Sequence, residues 1–481
     1  MRTTFRLTIL LLCSALAAAC AHDVLDSPIP EETACGTTEK PIGLDPETET
    51  LTATDAGTVA LMFKNQSQQS RSASEATVRN IVTIPGKDGQ AALYAVNLDK
   101  GYVIVPATKN LPPILAIVDS GEFSLDEEPF GRDVLISQMV DEIDYWKTKE
   151  PNHEHETAWR TFNKHKVQGR VPVSRADPNP DVWYAQSEIM YELSLEGYTC
   201  YEFRKMEEEQ EDIPKDILQR FQNRARYEEN RWEDEDEDMM YKTAFIAVKD
   251  YRDGGHSSSS YLLKTHWHQR SPYNNSLSTN RPLGCVTIAV GQIMKYYNYP
   301  TSFNWADMPN EEPNTNSQTT TSNFLKKIHD DLGVNDNAGA TIGDAERVLK
   351  SYGYSVKQIN HSYGVYKNFP TYCRGTDTSK KAGHAWVCDG KANIYSGMAY
   401  ELYILDCAYY PEFYFYKIDE VLDQTSYSLY HINWGWAAKS DNNGTKLYYD
   451  GFFYDGSMNI NTTDGLYQFN NDRKDLVISK P

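Results

Sequence analysis

Cys285 follows Gly284 and opens a run in which Val286, Ala289, Val290, Ile293, Met294 and Tyr297 recur at three- and four-residue steps, with Pro300 bounding the segment. That spacing predicts a buried helix with the thiol at its amino end. The thiolate is the nucleophilic form of cysteine, and the partial positive charge of a helix amino terminus favours it. Gly284 removes a side chain where a substrate carbonyl must approach closely. A thiol nucleophile also needs a base. Lys381 to Asp389 reads as a Gly-led strand that sets His384, Trp386 and Cys388 on one face. An imidazole there can take the thiol proton and later return it to a leaving amine. His431 is the rival base, in the run Tyr430 to Trp436; Asn433, in the same run, is the kind of neutral amide that orients an imidazole in a Cys-His-Asn set. On residue types alone, a core cysteine and a structural histidine stay open as readings.

The elements that must position these groups follow from the rest of the chain. Leu51 to Gln168 reads as a small α+β domain, with a helix over Ala53 to Gln69 and a second whose apolar face is Val134, Met139, Ile143 and Trp146. Between them, Ala91 to Asn97, Tyr102 to Pro106 and Ile114 to Asp119 are short β-rich runs separated by Gly and Pro. From Val171 to His256 the chain turns charged and irregular, with the acidic runs Glu207 to Glu209 and Glu233 to Asp238. Such runs are expected to form a solvated, mobile hinge between two domains. The third region, Ser257 to Pro481, carries Cys285, His384 and Asn433.

At the amino end, Arg2 and Arg6 precede an apolar stretch, Leu7 to Ala19, that is short for a membrane span and reads as a signal peptide over residues 1–20. The run Leu16 to Cys20 is similar to a lipoprotein signal, with Cys20 as the lipidated residue. Residues 21–50, rich in Pro, Thr and Glu, are expected to tether the folded part to a surface. The chain is therefore expected outside the cytoplasm of a Gram-negative bacterium, lipid-anchored or secreted. Its 47 Lys and Arg against 68 Asp and Glu give a net charge of −21, which argues against a nucleic-acid or anionic-lipid footprint. No CxxC or CxxH cluster is present, so neither zinc nor another cofactor is expected. Beyond Cys13 and Cys20, the remaining cysteines are Cys35, Cys200, Cys285, Cys373, Cys388 and Cys407; Cys285 is expected to be unpaired.

Three motifs in order resemble the streptopain-like cysteine peptidases. Gly284-Cys285-Val286 with Gln292 to Pro300 looks like their nucleophile helix, Gly383 to Val387 with Asp389-Gly390 like their histidine strand, and His431 to Trp436 like their tryptophan-rich strand. Leu93 to Asn97, Gly101 to Val105 and Pro112 to Ala116 resemble the family's inhibitory prodomain. The resemblance implies an α+β fold, in which a papain-like peptidase domain at 257–481 follows a prodomain at 51–170, and the linker at 171–256 holds the maturation cut. It implies a cysteine endopeptidase made as a zymogen, acting on protein or peptide substrates, with its own prodomain as intramolecular inhibitor. Cys285 would be the nucleophile and His384 the proton acceptor, with Asn433 and Trp434 positioning or shielding the imidazole. Gln269, followed by Pro272-Tyr273-Asn274, would share an oxyanion hole with the Cys285 backbone N–H. Two departures stand out: Ala437 and Ala438 replace glycines after Trp436, and Cys388 replaces an aliphatic residue. A cell-wall peptide amidase and an inactive surface-binding scaffold are the alternatives on the same framework.

Overall fold

The computed structural model describes residues 43–45, 48–67, 76–125, 132–149, 152–163, 200–205, 213–233, 242–250, 261–279, 281–334, 339–377, 382–409, 412–437, 439–440, 446–447, 449–454, 459–462, 465–468 and 473–481. The expected signal peptide, Cys20, most of the tether, and the acidic runs at 207–209 and 234–238 lie outside them. The chain divides into two compact units, one of residues 43–164, 251–397 and 424–481, the other built around 165–250 and 398–423.

The first unit begins with helix α1 (Ala53–Ser67) and strands β1 (Val78–Pro85), β2 (Ala91–Leu98), β3 (Tyr102–Pro106) and β4 (Ala116–Val118), followed by helices α2 (Arg132–Trp146) and α3 (His153–Arg160). The strands pair antiparallel in chain order, with Val82 opposite Ala95, Val96 opposite Val103 and Ile104 opposite Ala116. One face of this sheet, with Val96, Val103 and Val105, buries Val59, Ala60 and Phe63 of α1; the other takes Met139 and Ile143 of α2. Both helices and the three expected strands are present, and β1 is an additional strand. The end of the segment read as a tether is docked: Leu44 is buried and its N–H bonds the Phe162 carbonyl at 2.8 Å.

The second unit holds strand β5 (Cys200–Lys205), helix α4 (Lys215–Glu233) and strand β6 (Lys242–Asp250). These elements correct the reading of 171–256 as irregular. Helix α4 is charged on most of its surface, yet Ile217, Phe221 and Ala225 recur at four-residue steps and pack on Met398, Tyr400 and Leu402. A seam that narrow hides in a charged composition. Within the same unit β6 pairs with β5 and with the stretch Met398 to Asp406, and Arg220 bonds Asp419 through two nitrogens at 2.9 and 2.6 Å.

The rest of the first unit holds Cys285, His384 and Asn433. It comprises helices α5 (Cys285–Tyr297), α6 (Thr315–Leu332) and α7 (Ile342–Ser351), strand β7 (Ser355–Gln358), the short helix α8 (His361–Tyr366), and strands β8 (Thr371–Asp377), β9 (Ala382–Tyr409) and β10 (Glu412–Asn433). After these come β11 (Lys439–Ser440), β12 (Lys446–Leu447), β13 (Gly451–Tyr454), β14 (Asn459–Thr462), β15 (Gly465–Gln468) and β16 (Lys474–Ser479). Strands β9 and β10 begin and end in this unit respectively and run through the other between. The sheet order within the first unit is β1-β2-β3-β4-β13-β10-β9-β8-β16-β7. Helix α5 lays Val286, Ile288, Ala289, Val290 and Ile293 against one face of this sheet at Tyr372, Ala385, Val387, Leu476 and Ile478. A cysteine helix packed on a histidine-bearing antiparallel sheet, with a small α+β layer ahead of it, is the α+β, papain-like arrangement the sequence implies. The two layers share one sheet: β4 pairs with β13, Phe452 opposite Ile117 and Phe453 opposite Ala116.

Candidate active site

Cys285 is the first residue of α5 and an unpaired thiol, as expected. Gly284 precedes it with φ +89°, a backbone region that L side chains rarely adopt, so glycine is required to turn the chain into the helix here. The half-buried thiol lies against the backbone N–H of Ala385, the residue after His384. Burial pushes its pKa up, against the N–H groups of Ala385, Val286 and Cys285 itself and the positive charge of Arg374. Desolvation outweighs the helix amino terminus, and the resting group in this chain is the thiol.

His384 is buried, and its Nε2 lies 3.1 Å from the Trp434 carbonyl. A carbonyl only accepts, so in the neutral ring Nε2 carries the proton and Nδ1 keeps its lone pair. Burial pushes the imidazole pKa down to about 4, the Trp434 carbonyl offsetting part of that. A neutral base is the form that can remove a thiol proton. Three indoles surround it, with ring centroids 6.3 Å away for Trp386, 6.1 Å for Trp434 and 5.4 Å for Trp436. Trp434 itself is held by its backbone N–H, which donates to Asp450 Oδ1 at 2.9 Å, while Asp450 Oδ2 bonds His266 Nδ1 at 3.2 Å. Burial opposes protonation of His266, but Asp450 outweighs it and the pKa of the ring rises.

Asn433 does not bond the imidazole. Its Nδ2 donates to the Thr265 carbonyl at 2.7 Å, and its Oδ1 accepts from Gln292 Nε2 at 2.8 Å and from the Gly435 N–H at 3.2 Å. Gln292 is fully buried on α5, and its Oε1 accepts the Trp267 N–H at 3.2 Å. The amide pair therefore ties the segment before Cys285, helix α5 and the end of β10 into one network. Gly435, at φ +68°, lets β10 close on α5, because a Cβ there would stand 2.7 Å from Ile288 Cγ2. Gln269 is half-buried, and its carbonyl accepts the Leu283 N–H at 2.9 Å, which fixes it beside the chain leading to Cys285.

His431 has a different environment. Its Nδ1 is 2.7 Å from Asp389 Oδ1, its ring stacks on Tyr261 with centroids 4.0 Å apart, and Asp389 Oδ2 accepts the Leu263 N–H at 2.6 Å. This is a clamp between β9, β10 and the segment at 261–263. The groups that sequence reading did not single out are the Trp434 carbonyl, Asp450, His266 and Gln292's pairing role. A backbone carbonyl leaves no trace in residue type.

His361, Cys373 and Asp475 have ligand atoms within 4.8 Å of one another. Arg473 already occupies that cluster, with Nη2 3.1 Å from His361 Nδ1 and Nε 3.5 Å from Asp475 Oδ1. Asp475 also accepts the His361 backbone N–H at 3.0 Å. A guanidinium in contact with the carboxylate neutralises the charge a cation would need, so the trio fits a buried ion-pair network better than a metal centre.

Beyond the site, the face of β2 to β4 and helix α2 pack against Trp386, Cys388, Ile432 and Trp434 in one apolar cluster. Residues 43–163 thus cover the indoles that surround the imidazole.

Comparison with known proteins matches residues 267–328 and 301–443 to the peptidase C10 family, and residues 48–143 to the Spi protease inhibitor family. The thiol protease/hemagglutinin PrtT of Porphyromonas gingivalis is 24% identical over 269 residues, which cover 44% of this chain and 26% of that protein. The chain therefore spans about a quarter of the length of that curated relative. A fragment of prointerpain A from Prevotella intermedia, solved as a cysteine-to-alanine mutant, aligns with TM-score 0.39 at 14% identity, covering 84% of this chain and 99% of the fragment.

Proposed function

From a chain that is streptopain-like by its C10 domain and its inhibitor-like prodomain, we propose a cysteine endopeptidase made as a zymogen and working outside the cytoplasm. Cys285 attacks the substrate carbonyl after His384 Nδ1 takes its proton. The resulting imidazolium is stabilised through Nε2–H by the Trp434 carbonyl and then protonates the leaving amine. The Cys285 N–H and the Gln269 side chain receive the oxyanion. Water repeats the cycle to release the acyl group from the thiol. Asn433 acts as a positioning residue: it holds the segment before Cys285 and the end of β10, and thereby Trp434. The observation that carries this reading is the junction at which the Cys285 thiol meets the Ala385 N–H while the adjacent His384 has its tautomer set by Trp434.

The prodomain supports restraint of this site, since it buries the Trp386 and Trp434 walls in its own core. Cleavage within residues 171–256 would free it, and lipidation at Cys20 would keep the uncut chain at a membrane surface. Casein hydrolysis by the processed protein tests the base assignment. His384→Ala and Cys285→Ala are expected to remove nearly all turnover, and His431→Ala to retain much of it. An inactive His431→Ala beside an active His384→Ala would reverse the assignment.

A further inference from the structure

On β8, Tyr372 and Arg374 lie on the face that receives α5. Tyr372 stands opposite Val387 and Arg374 opposite Ala385, the residue whose N–H meets the Cys285 thiol. On the other side of β8, Lys474 of β16 stands opposite Arg374. Directly opposed side chains on one face of an antiparallel pair have Cβ atoms roughly 5 Å apart, and like charges there are destabilising. Arg374 is half-buried, and its guanidinium has no hydrogen bond or ion pair to any described residue. Arginine is rarely withdrawn from water unless an anion pairs with it, and a chain with 68 Asp and Glu had carboxylates to offer. Two residues away on the same face, the Tyr372 hydroxyl is fully buried with no hydrogen-bond partner among the described residues. Burial, the nearby Cys285 sulfur and Arg374 all bear on the Tyr372 phenol, which places the three groups together.

We propose that Arg374 is a specificity residue: it pairs with a carboxylate of the substrate chain beside the scissile bond, with the Tyr372 hydroxyl as a second donor. The inference rests on the peptidase reading above. A half-buried cation next to Cys285, without a partner among the described residues, is suited to receive an anionic group of a bound substrate. A guanidinium offers a planar fork that suits a carboxylate, so lysine is an imperfect replacement.

The test uses the intact chain, processed with a serine protease that is then inhibited, and peptide pairs that share one cleavable core. One pair carries Glu or Gln at each of the two positions on either side of the cut; the other has a free or an amidated carboxy terminus two residues beyond it. Wild type is expected to favour the carboxylate member of one pair by roughly 10- to 100-fold in kcat/KM, the range set by a charge-assisted hydrogen bond. Arg374→Gln should abolish that ratio, so that the two members of the pair are cleaved at equal rates whatever the overall turnover. Arg374→Lys should keep part of the ratio, and Arg374→Glu should reverse it toward a peptide carrying Lys. The first pair identifies a side-chain carboxylate and the second a terminal one. Equal cleavage of both members of both pairs by wild type overturns the proposal, leaving the peptidase reading intact. So does an equal loss on every peptide in Arg374→Gln with a shifted thiol pH profile, because the arginine would then serve only the thiolate. Failure to cleave any peptide, with Cys285→Ala indistinguishable from wild type, overturns the peptidase reading and this proposal with it.

Discussion

Gln292→Leu separates the amide network from the groups proposed to be catalytic. The substitution keeps the volume of a fully buried side chain but removes the acceptor of the Trp267 N–H and one of two donors to Asn433 Oδ1. Asn433 Oδ1 keeps the Gly435 N–H, so the main loss is one orphaned buried donor, at about 1–3 kcal/mol, plus about 1 kcal/mol for the second bond. A net loss of about 2–4 kcal/mol shifts the unfolding midpoint of a unit this large by roughly 4–8 °C. Calorimetry on the Cys285→Ala background avoids self-digestion and reads that shift directly. Because both residues share one hydrogen bond, the double change Gln292→Leu with Asn433→Ala should cost less than the sum of the two single changes, by about 1 kcal/mol. In the active background kcat should fall at least 10-fold with KM little changed, since Gln292 reaches Trp434 through Asn433 but has no path to substrate. A midpoint within about 1 °C of the parent, or strict additivity in the double variant, would refute the network as described.

Other consequences follow from the same site. His384 has a folded pKa of about 4 against about 6.5 unfolded, so the unfolded chain binds more protons between those values. Stability from this residue is complete above about pH 6.5 and is lost as pH falls toward 4, by about 3 kcal/mol; urea midpoints of His384→Gln should show a pH dependence smaller by roughly that amount. The raised Cys285 pKa predicts slow alkylation by iodoacetamide at pH 7 in the uncut chain and a faster rate once residues 43–163 are released, followed by intact mass. Asp450→Ala removes the acceptor of the Trp434 N–H and is expected to lower kcat about 10-fold with a smaller effect on KM; an unchanged kcat would detach Trp434 from the orientation of His384.

Much of this arrangement was legible because it depends on side-chain patterning. The three- and four-residue steps from Val286 to Tyr297 specify the helix that opens at Cys285, and the helix found begins at Cys285 and ends at Tyr297. The strand around His384 was legible for the same reason: Trp386 and Cys388 fall in one core cluster and Ala385 and Val387 in another. Helix α4 was not, because its buried seam is three residues wide in a surface of charges. The partner of His384 was not either. Sequence reasoning looks for a side chain to orient an imidazole and so reaches for Asn433, whereas the atom within reach is the carbonyl of the next residue, Trp434. Arg374 carries no periodic signal, and its environment emerges only when β8, β9 and β16 are in register.

The most direct test of the central claim is covalent. The processed protein is treated with a peptidyl, thiol-directed inhibitor, and the site of attachment is mapped by mass spectrometry while casein hydrolysis is followed in the same samples. The account predicts one adduct, on Cys285, forming in step with loss of hydrolysis, and absent from both Cys285→Ala and, at matched times, His384→Ala. Undiminished hydrolysis in Cys285→Ala, or inactivation with the label on Cys373 or Cys388 instead, would contradict it.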